Sequence, residues 1–387
     1  MKVLYFGTYS IGPGYPRNTV LIESLRAVGV DVTECRAPLF RGPADKIAAV
    51  AGVFGATRSA FRAAIAWGRL SVGFFTAGPR DAVVVGYTGH LDIFLARALS
   101  LFRRRPIVLD AFLSPYDTIV GDRKILRENS WKARALKRFE RASLRVADLV
   151  LTDTDAGADY LHQTFDVPRE KLASLPVGSL VREPVEASVP AAPGEPRWTP
   201  TGEPRAFEAI FVGSFVPLQG VPYILAAAEL APDLIFRIVG DGPDGPRAEE
   251  EVRERRMRNV VLERRFVQRA ELNKKLADAD AVLGVFGTGP KTARVIPCKV
   301  YDGLAAGLPV VTARTPAACE LMTDGEDALL VDAEDPGSLV AALRRLRDEP
   351  LLRETLRSGA RRLARERFGA HAIGMRYRAS LKELVRR

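Results

Sequence analysis

A glycine-rich segment in the second half of the chain gathers the residues best suited to bind an anion. The segment, residues 287–311, reads GTGPKTARVIPCKVYDGLAAGLPVV and carries Lys291, Arg294 and Lys299. It follows a predicted strand and enters a predicted helix at about Cys298. Backbone N–H groups at the start of a helix attract anions, and nearby cations strengthen that attraction. The pattern predicts a diphosphate site, with an exposed basic loop as the alternative.

A short carboxylate, Asp302, lies on the first turn of the same helix. In this position it could accept hydrogen bonds from ribose hydroxyls. The cations and the carboxylate together would suit a ligand that carries both a diphosphate and a ribose.

A loop in the first half of the chain is a second candidate binding element. It reads TYSIGPGYPRN (residues 8–18) and connects the first predicted strand to the first predicted helix. Gly12 and Gly14 lack side chains and therefore allow a ligand to approach the backbone closely. Arg17 stands at the start of the helix, where it would suit a phosphate.

Polar residues also follow the next predicted strands of the first half. His90 comes after the strand Asp81–Tyr87, and Asp110, Tyr116 and Asp117 cluster at the end of the strand after it. Ligands of parallel sheets bind at the carboxyl ends of the strands. These residues are therefore candidate substrate contacts, and a hydrogen-bonding role within the loop is the alternative for His90.

Two further motifs have both a functional and a structural interpretation. Residues 240–245, GDGPDG, fit the GxGxxG pattern of dinucleotide sites, but the proline inside the motif favours a tight turn. Residues 153–155, DTD, form a DxD pattern whose paired carboxylates could hold a divalent metal. They also lie between a predicted strand and a predicted helix, where Asp and Thr cap helices. The structural interpretation is favoured for both motifs.

Composition predicts a folded intracellular protein that holds no metal. The 387 residues are enough for two domains, and 47% hydrophobic with 27% charged residues excludes a disordered chain. The 3 cysteines form no CxxC pair, and the 3 histidines are far apart, so neither a disulfide framework nor a metal site is expected. No basic leader or long apolar segment precedes the first strand. We therefore expect no signal peptide and a cytoplasmic location.

The net charge of +10 is unevenly distributed along the chain. Residues 344–387 hold 14 Lys and Arg against 5 Asp and Glu, which could attract an anionic membrane or nucleic acid. A predicted helix over 45–69 places apolar residues on one face, among them Phe61 and Ile65, flanked by Arg58, Arg62 and Arg69. Membrane contact and an ordinary core-facing or solvated helix are both open. The tail lacks regular aromatic residues, so no nucleic-acid partner is expected.

Two halves of the chain alternate short β-rich runs with helical stretches, which is typical of parallel α/β domains. The predicted organisation is a first domain over 1–178, a Pro-rich linker over 179–205, a second domain over 206–367 and a final helix over 368–387. The longest uncharged run, residues 209–228, contains two glycines and two prolines and is not expected to span a membrane.

Several segments resemble glycosyltransferase family 4, in the same order and over nearly the whole chain. The residues IPCKVYDGLAAGLPVV (296–311) resemble the donor-site segment of that family, and PAACELMTDGEDALLV (316–331) resembles the segment after it. FVGSF (211–215) and IVGDGP (238–243) fall at the expected intervals. In the first half, ADLVLT (147–152), VPREKL (167–172) and LPVG (175–178) also fit.

The resemblance implies a GT-B fold, which is an α/β architecture of two facing Rossmann-like domains with an interdomain cleft. The acceptor would face the first domain and a nucleotide-sugar would bind mainly to the second, with the final helix crossing back to the first domain. Family members usually retain the anomeric configuration and need no metal, so no cofactor is expected. The protein would stabilise the departing diphosphate as the anomeric carbon gains oxocarbenium character.

The resemblance also assigns residues to this reaction. Lys299, followed by Arg294, would contact the phosphates, and an exposed Lys299 could be replaced at little cost in stability. The other donor-binding candidates are Gly213, Ser214, Gly240, Lys291, Pro297, Tyr301 and Asp302. The candidates in the first domain are Gly12, Gly14, Arg17, His90, Asp110 and Asp117.

The chain departs from the family pattern at four positions. Asp302 stands at the second of two glutamates that the family often has, and Arg294 at the first. The usual arginine and lysine after the first strand of the second domain fall at Ser214 and Gln219. Basic charge has therefore moved from one loop to another, which leaves the donor sugar undefined.

The expected activity is transfer of a sugar from a UDP-sugar, with a GDP-sugar next, to a glycan, a lipid-linked acceptor or a metabolite. The alternatives are a GT-B sugar-nucleotide epimerase and a catalytically inactive GT-B binding protein. A lipid-linked acceptor would place the protein at the inner face of the cytoplasmic membrane.

Overall fold

The chain forms two compact units. The computed structural model describes residues 1–12, 16–39, 52–102, 105–181 and 205–386, with side chains of the helix over 52–76 described from residue 61 onward. Unit 1 contains Met1–Pro176 together with Ala370–Arg387, and unit 2 contains Val177–Gly369. Most of the predicted linker and Gly14 lie outside the described residues.

Unit 1 is built on a six-stranded parallel sheet in the order β2-β1-β3-β4-β5-β6. Its strands are β1 (Lys2–Gly7), β2 (Asp31–Arg36), β3 (Ala82–Val85), β4 (Ile107–Asp110), β5 (Leu149–Thr152) and β6 (Leu172–Ser174). Every residue of β3, β4 and β5 is buried, as expected for strands covered by helices on both faces. This explains why these strands are continuous apolar runs in the sequence.

The helices of unit 1 come from both ends of the chain. They are α1 (Pro16–Ala27), α2 (Gly52–Thr76), α3 (Asp92–Ser100), α4 (Trp131–Val146), α5 (Asp155–Phe165) and α13 (Ala370–Arg386). Helix α13 packs along α1, and Gly374 makes this possible because a Cβ there would lie 2.0 Å from the Ser24 carbonyl oxygen. A π-helix over Asp117–Asp122 and a 3₁₀ helix over Arg169–Lys171 complete the unit as described.

Unit 2 has a second parallel sheet of six strands in the order β12-β11-β10-β7-β8-β9. Its strands are β7 (Glu208–Val212), β8 (Ile235–Val239), β9 (Val260–Glu263), β10 (Ala281–Leu283), β11 (Val310–Ala313) and β12 (Leu329–Val331). Its helices are α6 (Val221–Leu230), α7 (Gly245–Glu254), α8 (Arg269–Asp278), α9 (Cys298–Ala305), α10 (Pro316–Leu321), α11 (Pro336–Asp348) and α12 (Pro350–Leu363). A π-helix over Ala364–Phe368 leads from α12 towards α13.

Helix α2, predicted over 45–69, is described over Gly52–Thr76, whereas the other predicted elements agree with the structure within a few residues. Several further elements were not predicted. Strands β2 and β6 and helices α3, α5, α7 and α10 are short and interrupted by polar residues, so their sequence patterns are weak. Side-chain caps fix several helix starts. Ser130, Thr154 and Thr315 each accept a hydrogen bond from the backbone N–H three residues later.

Helix α2 turns part of its predicted apolar face outward. Ala66, Leu70 and Phe74 pack into the core, whereas Phe61 is 68% exposed and Ile65 is 44% exposed. The core-facing interpretation of Phe61 and Ile65 is therefore wrong. In the part of the chain that the structure describes, we find no helix whose length and apolarity would let it cross a bilayer.

Candidate active site

The loops after the central strands of the second sheet pack tightly against one another. Strand β7 lies between β10 and β8, so the residues that follow these strands meet at the carboxyl edge. Gly240 has a φ of +142°, and a Cβ there would lie 1.8 Å from the Gly213 carbonyl oxygen. A Cβ on Gly220 would lie 2.8 Å from the Gly287 backbone nitrogen. The GDGP motif is therefore a tight turn that lets two loops touch, as the structural interpretation proposed.

Lys299 lies on the first turn of α9 and points its ammonium group at these loops. Its Nζ donates a hydrogen bond of 2.5 Å to Gln219 Oε1 and lies 3.4 Å from the centre of the Phe211 ring. A Cβ on Gly213 would approach the same Nζ to 2.8 Å. The glycine therefore leaves room for the lysine head group beneath the loop that follows β7.

The prediction of an exposed Lys299 is wrong, because only 8% of the residue is accessible. Burial holds the pKa of its ammonium group well below the ordinary lysine value. No ion pair of Lys299 with a carboxylate occurs among the described residues, so its partners are a neutral amide and an aromatic face. A buried cation without a counter-ion is costly. The arrangement would be stabilised by an anion placed beside Nζ.

The other basic residues of the segment lie just before α9. Lys291 is buried and precedes a 3₁₀ turn over Thr292–Arg294, and Arg294 is half-buried at the end of that turn. Pro297 is the N-cap residue of α9 and has no side-chain cap to offer. The cations thus precede a helix start whose first N–H groups lack a side-chain acceptor.

Asp302 is already occupied by partners from its own unit. Its Oδ1 accepts a hydrogen bond of 2.5 Å from Ser179 Oγ, and its Oδ2 lies 3.0 Å from Arg269 Nη1. The residue is 7% exposed. The carboxylate of Asp302 is therefore not free for ribose hydroxyls, because both of its oxygens already have donors.

Tyr301 belongs to the core of unit 2. It is buried, and its ring packs edge-on against Phe368 with 5.1 Å between the ring centres. The assignment of Tyr301 as a donor contact stays a prediction. Ser214, by contrast, is exposed on the loop that follows Gly213.

Arg17 and Asp110 form a buried ion pair in unit 1. Arg17 is 1% exposed, and its Nη2 lies 3.0 Å from Asp110 Oδ1. The guanidinium also donates to the carbonyl oxygens of Leu175, at 2.6 Å, and Thr152, at 3.2 Å. The pair therefore ties α1 to β4 and β5, and the substrate roles of Arg17 and Asp110 stay predictions.

Two further polar groups of unit 1 are buried with an atom that lacks a partner in the described structure. Burial lowers the pKa of His90 to about 4, and its Nε2 has no hydrogen-bond partner. Burial raises the pKa of Asp153 to about 7, and its Oδ2 has none either. Thr154, and not an aspartate, caps helix α5. At neutral pH, His90 is uncharged and Asp153 is about half protonated, and both lie near the carboxyl edge of the first sheet.

The remaining candidates of unit 1 are Gly12 and Asp117, for which the structure gives fewer contacts. Gly12 has a φ of +120° and no atom within 4 Å of its missing Cβ, and Asp117 is half-buried at the start of the π-helix. Among the described residues no cluster of three or more His, Cys, Asp or Glu could hold a metal ion.

Lys299 has two contacts that the sequence did not reveal. Gln219 was recognised only as a replaced lysine, and Phe211 only as part of a motif. The available signal was a departure from the family pattern: Gln219 stands where a lysine is usual in one loop, and Lys299 stands in the other segment. A contact between side chains 80 positions apart depends on the fold.

Comparisons with known proteins match both units. Residues 206–349 match the family model described as "Glycosyl transferases group 1", and residues 9–178 match the "Glycosyl transferase 4-like domain". The chain is 31% identical over 168 residues to the lipopolysaccharide core biosynthesis glycosyltransferase LpsD of Rhizobium meliloti, covering 43% of this chain and 47% of that protein. It is 29% identical over 184 residues to the D-inositol 3-phosphate glycosyltransferase of Thermomonospora curvata, covering 42% and 40%. The matches thus span less than half of the length of these relatives.

Solved structures resemble the whole chain in fold. Anabaena HepE in complex with UDP and glucose is 16% identical, with a TM-score of 0.64 and 99% of both chains covered. This similarity identifies the fold as GT-B.

Proposed function

Since this chain belongs to the group 1 glycosyl transferases of family 4, we propose that it transfers a sugar from a nucleotide-sugar to an acceptor hydroxyl. The preferred donor is a UDP-sugar, with a GDP-sugar next. The anomeric configuration of the sugar is retained. The acceptor is a glycan, a lipid-linked sugar or a small metabolite.

The uncompensated ammonium group of Lys299 is the observation that supports this proposal most. It lies among loops at the carboxyl edge of a parallel sheet, the edge where α/β proteins bind ligands. Its described contacts, Gln219 and Phe211, carry no negative charge. A diphosphate would supply that charge, and the hydrogen bond to Gln219 would hold the ammonium in place.

The reaction asks the protein for electrostatic stabilisation. The bond between the anomeric carbon and the diphosphate oxygen breaks, and its electron pair goes to the leaving nucleoside diphosphate. The acceptor oxygen forms the new bond, and its proton goes to a phosphate oxygen of the leaving group. Lys299 stabilises the growing negative charge, with Arg294 and Lys291 close in sequence. We propose that these cations do the work that a divalent metal does elsewhere.

We also propose contact with an anionic membrane, at the inner face of the cytoplasmic membrane. The outward face of α2 supports this, because Phe61, Ile65, Val72 and Phe75 are exposed there. Leu and Phe side chains with nearby arginines bind the boundary between headgroups and acyl chains. The relative LpsD is named for lipopolysaccharide core biosynthesis, which agrees with an acceptor of the lipid-linked class.

A panel of UDP-, GDP- and ADP-sugars tests the donor part of the proposal. The melting temperature is measured with each donor, without metal and again with EDTA. We expect one nucleotide to stabilise the protein selectively, and EDTA to leave the shift unchanged. No response to any nucleotide would contradict the transferase and support a binding protein that has lost its donor site. Conversion of UDP-GlcNAc without an acceptor would indicate an epimerase.

A further inference from the structure

A cavity of about 300 Å³ opens at the amino-terminal edge of the first sheet, away from the loops that follow the strands. It lies where α3 ends and where β4 and β5 begin. Its lining residues are Arg97, Ser100, Leu101, Arg105, Pro106 and Asp148. Its volume falls at the small end of the range for small-molecule sites, about 300–1,000 Å³.

The cavity has hydrogen-bond donors without acceptors. The Oγ of Ser100, a residue that is 2% exposed, has no partner among the described residues, and neither has the buried Nε of Arg105. A buried donor without an acceptor is energetically costly, so an acceptor that enters the cavity would recover this energy.

The acceptors that line the cavity are already used. Asp148 Oδ1 accepts from Arg97 Nη2 at 2.7 Å, and its Oδ2 accepts from the Ile107 backbone N–H at 2.8 Å. The Arg97 carbonyl at the end of α3 accepts from the Leu101 N–H at 3.1 Å. A ligand in the cavity could therefore supply the acceptors that the described residues do not provide.

The net charge of the lining selects the kind of ligand. Arg97 and Arg105 carry two positive charges and Asp148 one negative charge, which leaves a single positive charge. A phosphodiester carries one negative charge, and its two unesterified oxygens only accept hydrogen bonds. It matches both the charge and the unpaired donors of the cavity.

An apolar rim beside the cavity indicates where such a phosphodiester comes from. Leu101 is 72% exposed and Phe102 is 78% exposed. The Phe102 ring packs edge-on against Phe75 of α2, with 6.2 Å between the ring centres. The rim therefore continues into the exposed face of α2. Apolar side chains around a phosphate site suit a lipid and offer nothing to a free anion.

We propose that this cavity binds the phosphodiester of an anionic phospholipid while Leu101 and Phe102 enter the membrane interface. The inference rests on the proposed membrane contact and is independent of the donor chemistry. Arg105 and Ser100 hold the unesterified oxygens. The site would dock unit 1 on the bilayer in one orientation.

Vesicle binding tests the proposal. Binding of the whole chain is measured to phosphatidylcholine vesicles with and without about one third phosphatidylglycerol, for the wild type and for Arg105→Gln, Arg105→Lys and Ser100→Ala. The control is Arg123→Gln, which removes one positive charge from an exposed residue that follows β4 at the opposite edge of the sheet. We expect Arg105→Gln to weaken binding to the anionic vesicles about tenfold, and the control about twofold or less.

Two variants distinguish a specific phosphodiester site from general electrostatic attraction to anionic vesicles. Arg105→Lys keeps the charge but loses the Nε donor, and Ser100→Ala loses only a hydroxyl, so both should lower the preference for phosphatidylglycerol. Equal binding by Arg105→Gln and Arg123→Gln, or a full preference in Arg105→Lys and Ser100→Ala, would overturn the site. If the wild type ignores anionic vesicles, the membrane contact also fails. The nucleotide panel would still report separately on the transferase.

Discussion

Lys299 brings a positive charge into the interior of unit 2 without a carboxylate to balance it in the described structure. A side chain that is costly to bury and has only neutral partners contributes little to stability. We expect Lys299 to contribute to the binding of an anion, because a bound anion would supply the counter-ion that the fold lacks. Stability and donor binding should therefore respond in opposite directions when the charge is removed.

Replacing Lys299 with Met should keep or raise the melting temperature and abolish the response to the donor. Methionine fills a similar volume without a charge, so the cost of burying an ammonium group without a counter-ion disappears. Turnover should fall by at least about 100-fold, as for other single groups that stabilise charge in a transition state. Thermal melts and a transferase assay measure the two effects. Lys274→Met, at an exposed position of α8, is the control; normal turnover in Lys299→Met would remove the donor assignment.

Donor binding should take up a proton wherever the pH exceeds the lowered pKa of Lys299 in the free protein. Burial lowers the pKa of Lys299 in the free protein, and a bound diphosphate would raise it again. Calorimetric titration in two buffers with different ionisation enthalpies measures the proton uptake. The uptake should disappear in Lys299→Met. Identical binding enthalpies in both buffers for the wild type would contradict the mechanism.

Glu140 should make the wild-type protein less stable as the pH rises from about 4.5 to about 7. Burial raises its pKa to about 7, so the folded state holds a proton that the unfolded state has already released. The carboxyl therefore contributes stability below this window and loses it through the window. Its Oε2 accepts from the Tyr116 N–H at 2.7 Å, and Gln can keep this bond. Urea unfolding at pH 5 and pH 8 should show a smaller loss for Glu140→Gln than for the wild type, and equal losses would refute the assignment.

At the scale of elements, the pairing of α1 with α13 depends on one glycine. The missing side chain of Gly374 lets the two helices approach until a Cβ would lie 2.0 Å from the Ser24 carbonyl oxygen. Ser24 is fully buried in this contact. The backbone cannot retreat without opening the core around it.

Gly374→Ala should therefore destabilise unit 1 by about 2 kcal/mol or more, since it forces an overpacked contact. Gly68→Ala on α2 is the matched control, because nothing lies within 4 Å of its missing Cβ. That change should stabilise the protein by about 0.5–1 kcal/mol through the higher helix propensity of alanine. Chemical denaturation of both variants gives the comparison. Equal effects of the two substitutions would contradict the close approach.

Elements with a strong local signal could be predicted from the sequence, and contacts between distant elements could not. The buried strand β3 is a continuous apolar run, and its predicted range, Asp81–Tyr87, lies within two residues of its observed ends. Arg17 resembled a phosphate ligand because it begins a helix after a glycine-rich loop. Its actual partner, Asp110, is 93 positions away. Position at the end of a strand predicted the edge of the sheet, but it did not predict which polar groups turn inward.

The same limit explains the outcome for the donor segment. The helix start near Cys298 was predicted from the sequence, and α9 begins there. The burial of Lys299 was not, because it depends on Gly213 and Gln219 from another loop. Asp302 was expected to accept hydrogen bonds from ribose hydroxyls, and in the structure it is bound by Ser179 and Arg269, neither of which is near it in sequence.

At the scale of the whole molecule, much of the excess positive charge is used within the fold. Arg344 and Arg347 both pair with Asp233, and Arg362 pairs with Asp327. Arg376 and Arg378 donate to the backbone carbonyls of Ser174 and Val28. The basic tail is therefore built into helices that pack on the two units, rather than projecting as a free basic arm.

We consequently expect weak binding to nucleic acid despite the net charge of +10. Fluorescence anisotropy with a random DNA duplex at about 0.15 M salt should give a dissociation constant weaker than about 100 μM, the weak limit of ordinary non-specific binding. Arginines held by carboxylates and carbonyls are poorly available to phosphates. Micromolar affinity with a steep dependence on salt would contradict this.

The two segments of the chain that form unit 1 are synthesised at different times. During synthesis the ribosome completes Pro176 long before it reaches Ala370, because all of unit 2 is made in between. At ordinary elongation rates this interval lasts roughly 10–40 s. Throughout it, the surface of α1 that receives Gly374 and Tyr377 stays uncovered. The nascent first unit thus lacks the packing partner of α1 until its last helix has been synthesised.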